Sequence, residues 1–215
     1  MSTATSEGLI TVLDKIFFVF LLTFYLHPSY VAAAQTNFLE YLRGIDSFQS
    51  DFVEHRYSEA GRLIVSVEGT CKLMRPGMFR WHYLDTNEEQ LVISDGSTLW
   101  VYEPDLEQVF VRQGHSAENS TILKIFGVDD GSDQQYAVEQ LSSANWFRLR
   151  LGSDDSILSV DVEYIDTIIK SVRSIDPSGF STVIEFVNPK TNPRLKASDF
   201  QFVPPSDIDI IYEQR

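Results

Sequence analysis

The apolar and polar positions along this chain mostly follow the period of short strands. Phe79-Arg80-Trp81-His82-Tyr83 alternates with period two, as a half-buried strand does. Leu91-Val92-Ile93-Ser94 follows, stops at Asp95-Gly96 and resumes as Ser97-Thr98-Leu99-Trp100-Val101-Tyr102. Asp-Gly between two β-prone runs predicts a hairpin. Arg75-Pro76 stands ahead of this meander, and a proline that cannot donate to a ladder interrupts it there. Upstream, Phe48–His55 reads as a strand with Phe48, Ser50 and Phe52 on one side. Leu63, Val65 and Val67 then alternate with Ile64, Ser66 and Glu68, and Gly69–Met74 continues extended. Downstream strands are predicted at Gln108–Arg112, Tyr136–Leu141, Asn145–Leu151, Ile157–Tyr164, Ile168–Ile175, Ser181–Val187, Phe200–Val203 and Ile208–Tyr212. Turn signals recur roughly every 8–12 residues, which predicts an antiparallel sandwich or barrel.

Three segments break this rhythm. Thr36–Ile45 carries Phe38, Tyr41, Leu42 and Ile45 at helical spacing, which predicts a short helix with one apolar face and Gly44 near its end. Between Arg112 and Gln135 the alternation fails, and Ile122, Leu123, Ile125 and Phe126 form a compact apolar cluster between Ser120 and Gly127. A capped short helix fits that cluster. A helix plugging a barrel core and a moving lid read alike there. Finally, Ile16–Leu26 is an apolar run of eleven residues followed by Ala32-Ala33-Ala34. A membrane span needs about 20 apolar residues. The run therefore predicts a signal peptide over residues 1–34 and one domain over residues 35–215, with a soluble product beginning at Gln35.

Charge narrows the partners. The 215-residue chain carries a formal net charge of −14, of which the leader contributes −1 through Lys15, Glu7 and Asp14. A surface this acidic is unsuited to nucleic acid and is repelled by anionic headgroups. Cys71, the single cysteine, allows no intramolecular disulfide and reads as a small buried hydrophobe. His55, His82 and His115 are widely spaced and show no zinc-ligand pattern. Asp129-Asp130 and Asp154-Asp155 lie in Gly/Ser-containing turns and lack calcium-loop spacing. No nucleophile elbow or phosphate-binding glycine loop is present. No enzyme activity, metal or other cofactor is expected.

The arrangement RPxxFxW, followed by the VISDGSTLWVYEP hairpin, resembles the periplasmic outer-membrane lipoprotein carrier family, LolA. Phe48-Gln49-Ser50-Asp51-Phe52, Asp166-Thr167-Ile168-Ile169-Lys170 and Phe200-Gln201-Phe202-Val203-Pro204-Pro205 extend the resemblance in order along the chain. It implies a mainly β fold: an unclosed antiparallel β-barrel with short helices covering the open side. It implies a periplasmic monomer that takes acylated lipoproteins from an inner-membrane lipoprotein-releasing ABC transporter to an outer-membrane receptor. A binding module of the same fold for free lipid or another small apolar ligand is the alternative. The physical need is plain, since each buried methylene is worth about 0.8 kcal/mol, and exposing one long acyl chain costs on the order of 10 kcal/mol.

The resemblance also assigns roles by position. Arg75 matches an arginine that latches the helical lid through backbone carbonyls. Phe79, Trp81 and Val92 match residues lining the acyl-chain cavity, and Ile122, Leu123, Ile125 and Phe126 match the lid. On alternation alone, Phe79 and Trp81 also read as ordinary barrel core.

Overall fold

A computed structural model describes residues 28–84, 89–113, 125–126, 136–143, 145–151 and 159–212. Among the described residues, the α-helix α1 (Pro28–Arg43) precedes twelve strands. These are β1 (Ser47–Tyr57), β2 (Leu63–Met74), β3 (Met78–Tyr83), β4 (Gln90–Asp95), β5 (Thr98–Glu103), β6 (Gln108–Gln113), β7 (Tyr136–Gln140), β8 (Trp146–Leu151), β9 (Ser159–Ile165), β10 (Ile168–Ile175), β11 (Ser181–Thr191) and β12 (Asp209–Tyr212). They form a single sheet in the order β12-β6-β5-β4-β3-β2-β1-β11-β10-β9-β8-β7. The two end strands do not pair with each other, so the sheet is an unclosed barrel. Every pairing is antiparallel except that of β12 with β6.

The sheet wraps α1. Phe38, Leu42 and Ile45, the face read from helical spacing, are 0%, 0% and 2% exposed. Phe38 stacks on Phe147 of β8 at 4.5 Å, Tyr41 packs on Tyr164 of β9 at 4.9 Å, and the Tyr41 hydroxyl meets Thr191 Oγ1 of β11 at 2.8 Å. The helix begins at Pro28 rather than Thr36. Ala32, Ala33 and Ala34, the small residues expected to end a signal peptide, are strong helix formers and continue it upstream.

The two-residue turn Gly96-Ser97 closes the β4–β5 hairpin as expected. Gly96 sits at φ 95, and Asp95 Oδ1 accepts the N–H groups of Ser97 and Thr98 at 2.8 and 2.9 Å. Arg75-Pro76-Gly77 forms the β2–β3 turn, so the proline ends a ladder as its missing donor requires. The two turns touch: a Cβ on Gly77 would lie 3.1 Å from Gly96 Cα.

Both faces of the sheet are buried at β4. The inner core holds Phe48, Phe52, Leu73, Phe79 and Trp81 against α1. On the outer face Leu91, Ile93, Val109 and Val111 are at most 6% exposed, and Phe200 is fully buried. Their cover is the C-terminal segment, where Phe202 packs on Trp100 at 6.2 Å and Tyr102 at 5.5 Å. Lys72 Nζ anchors that segment to Asp199 Oδ1 at 3.0 Å. The Lys196 backbone N–H and the Lys72 side chain hold the Asp199 carboxyl below its ordinary range. The strand expected at Phe200–Val203 is instead a 3₁₀ turn, Ala197–Phe200, followed by extended chain outside the ladder. Its alternating phenylalanines fit an outer-face cover as well as a strand, and Pro204-Pro205 supply no donors for pairing.

One position in the sheet accepts only glycine. A Cβ on Gly69 would lie 2.3 Å from Phe52 Cζ and 2.4 Å from the His82 carbonyl oxygen. Gly69→Ala is expected to destabilise the protein by about 2–3 kcal/mol in urea titration. Adding Phe52→Ala should not restore it, because the His82 oxygen is backbone and cannot rotate away.

Candidate functional site

The site is built where the C-terminal end of α1 meets the β2–β3 turn. A helix leaves its last carbonyls without intrahelical partners and carries partial negative charge there. Arg75 supplies the missing donors. Its Nη2 donates to Leu42 O at 3.0 Å, its Nη1 to Arg43 O at 3.1 Å, and its Nε to Phe126 O at 2.8 Å. One guanidinium thus joins the sheet, α1 and the segment carrying Ile125 and Phe126. A planar fork with five N–H groups suits three divergent carbonyls; a lysine could not span them.

Asn192 completes this junction, and periodicity gave no sign of it. Its Nδ2 donates to Gly44 O at 2.8 Å, and its Oδ1 accepts from the N–H groups of Asp46 and Ser47 at 2.8 and 3.1 Å. Asn192 occupies the left-handed region at φ 55, which asparagine tolerates better than most residues. Between them Arg75 and Asn192 take the carbonyls of Leu42, Arg43 and Gly44. The only local signal is the dipeptide Asn192-Pro193, which marks a turn and nothing more.

Beneath the junction lies an aromatic wall. Phe79 and Trp81 are 2% and 7% exposed and face inward, as their alternation predicts. Val92 is half-buried and pairs with Trp81 in register, and Val101 and Phe110 continue the same row across β5 and β6. Ile125 and Phe126 are both fully buried, and Phe126 packs on Phe48 at 4.7 Å and Phe186 at 6.3 Å. The structure therefore brings Arg75, Phe79, Trp81, Val92, Ile125 and Phe126 together around α1. Ile122 and Leu123 lie outside the described residues.

Cys71 is 1% exposed between Ser50 and Trp81, and burial pushes its thiol up to about 12. It is expected to resist maleimide at neutral pH in the folded protein and to react fully in guanidinium. Fast labelling without denaturant would contradict this packing. Among the described residues, no group of three or more His, Cys, Asp or Glu could hold a metal ion.

The fold is an unclosed, mainly antiparallel sheet with an aromatic inner face, tied to α1 and to Phe126 by one arginine. Residues 43–203 match the family model of the outer membrane lipoprotein carrier protein LolA, and this chain belongs to that family. It is 32% identical to the outer-membrane lipoprotein carrier protein of Azotobacter vinelandii over 158 residues, covering 72% of this chain and 76% of that one. It is 29% identical to that of Hahella chejuensis over 178 residues, covering 80% and 85%. A solved structure of an uncharacterized conserved protein from Thermus thermophilus shares the fold, with TM-score 0.52 at 11% identity, covering 84% of this chain and 99% of that one. The family is periplasmic and non-enzymatic, and it serves lipoprotein transport and localisation.

Proposed function

We propose that this protein carries acylated lipoproteins across the periplasm by holding their acyl chains against the inner face of the sheet, beneath α1 and the Ile125-Phe126 segment. Arg75 is the latch of that cover. The observation that supports this most is its simultaneous hold on Leu42, Arg43 and Phe126 carbonyls. Charge-assisted hydrogen bonds of about 1.5–3 kcal/mol suit the task. They close an empty container, yet together remain weaker than the burial of several acyl chains.

In this reading residues 1–34 are a cleaved leader, the carrier is a monomer, an inner-membrane lipoprotein-releasing ABC transporter loads it, and an outer-membrane receptor empties it. Removal after Ala34 leaves Gln35–Arg43 of α1, which retains Phe38, Tyr41 and Leu42. The test is purification of the protein from the periplasm of a Gram-negative host, followed by mass spectrometry of what accompanies it. A triacylated lipoprotein is expected. Phospholipid or free fatty acid alone would favour the simpler lipid-binding module.

A further inference from the structure

We propose that Asn192 is the pin of a hinge at the α1–β1 corner, so that α1, once Arg75 lets go, turns about Gly44 and stays attached along the β11 side of the sheet. The inference rests on the latch reading above and adds where the cover stays fixed while it opens.

The C-terminal end of α1 is tied to the sheet on two sides, because β1 lies between β2 and β11 in the strand order. On the β2 side the Arg75 guanidinium holds the carbonyls of Leu42 and Arg43. One long side chain makes both bonds, and rotation about its own torsions frees both carbonyls together. On the β11 side the ties run along one flank of the helix. The Tyr41 hydroxyl meets Thr191 Oγ1 at 2.8 Å and accepts from the Ile169 N–H at 3.4 Å, and Gly44 O accepts from Asn192 Nδ2 at 2.8 Å.

Asn192 cannot swing away as Arg75 can. Its backbone N–H donates to Ser47 O at 2.8 Å, and its Oδ1 accepts from the N–H groups of Asp46 and Ser47. Ser47 Oγ donates in turn to Pro193 O at 2.8 Å. These bonds prolong the β1–β11 ladder, whose register pairs Phe48 with Thr191. Ile45 and Ser47 are 2% and 7% exposed, so the chain just beyond Gly44 is packed in place. Gly44 thus joins a helix that one side chain can release to a corner that is fixed. Hinges fall at such element-terminal positions. The chemistry at 192 calls for an amide, since the same side chain donates to Gly44 and accepts from Asp46 and Ser47. A carboxylate would keep the accepted bonds and lose the one that holds the helix end.

Double electron–electron resonance between spin labels on the purified protein tests this, with the buried Cys71 left unlabelled. Glu40→Cys on α1 is paired with Thr70→Cys on β2 or with Glu185→Cys on β11, all three positions being exposed. With Arg75 and Asn192 intact, both distance distributions should be narrow. Arg75→Leu should lengthen the distance to position 70 by about 5 Å, the scale of a one-turn helix displacement, and leave the distribution to position 185 narrow. Adding Asn192→Asp should broaden the distribution to position 185 as well. If Arg75→Leu disturbs the 185 pair as much as the 70 pair or more, the hinge is overturned while Arg75 remains the latch. The same follows if the added Asn192→Asp leaves the 185 pair narrow. If Arg75→Leu moves neither pair, the latch reading and this inference fail together. The first comparison leaves Asn192 untouched, so it decides the matter even where Asn192→Asp fails to fold.

Discussion

Replacing Arg75 by leucine is expected to leave the sheet folded and to slow cargo release by about thirty- to a hundredfold. The substitution removes three hydrogen bonds, to Leu42, Arg43 and Phe126 carbonyls. These bonds join the sheet to its cover and contribute nothing to the strand ladders. Allowing for the exposure of the guanidinium, their loss shifts the closed–open balance by about 2–3 kcal/mol. In the proposed mechanism, closing over an empty inner face competes with holding the acyl chains and so favours handing them on. Without the latch that competition disappears, and the loaded form persists. Stopped-flow transfer of a labelled lipoprotein to acceptor membranes bearing the receptor would measure it. The circular dichroism of the variant should match the wild type, while the empty variant should bind an apolar dye more strongly. A variant that unfolds, or one that transfers at the normal rate, removes Arg75 from the role of latch.

The second large effect is on stability. Phe52→Ala is expected to cost about 4 kcal/mol, read as a lowered urea midpoint. Phe52 is 1% exposed, stacks on Trp81 at 4.5 Å and meets Tyr83 edge-on at 5.5 Å. It also fills the space above Gly69, its Cζ lying 2.3 Å from where a Cβ there would stand. Two aromatic contacts add to the loss of buried area, and the strands around the void are too tightly paired to collapse into it. A cost below about 1 kcal/mol would mean that the wall relaxes freely, against the packing described.

Much of this was legible in the sequence because strand alternation is local. Phe79 and Trp81 face inward, the Asp95-Gly96 hairpin closes where expected, and Phe147, Leu149, Val160 and Val162 line the inner faces of β8 and β9. The uninterrupted run Leu91-Val92-Ile93 held a further signal, since a strand buried on both faces loses its alternation. The outer-face cover was not legible. Phe200 and Phe202 carry the period of a strand, and only the packing over Trp100 and Tyr102 shows their use. Asn192 was missed for a different reason. Its partners Gly44, Asp46 and Ser47 lie 145 to 148 residues away in the chain, and an Asn-Pro dipeptide signals only a turn. The Arg75 contacts with α1 could be anticipated only through the family resemblance, because thirty-odd residues separate the partners.

The central claim is that the inner face carries the acyl chains of lipoproteins. Its most direct test is to incubate the purified protein with Gram-negative spheroplasts and assay the supernatant by gel filtration. The account predicts a water-soluble one-to-one complex with triacylated lipoprotein, absent when the protein is omitted. A supernatant that repeatedly holds the protein alone, or with free lipid only, would contradict it.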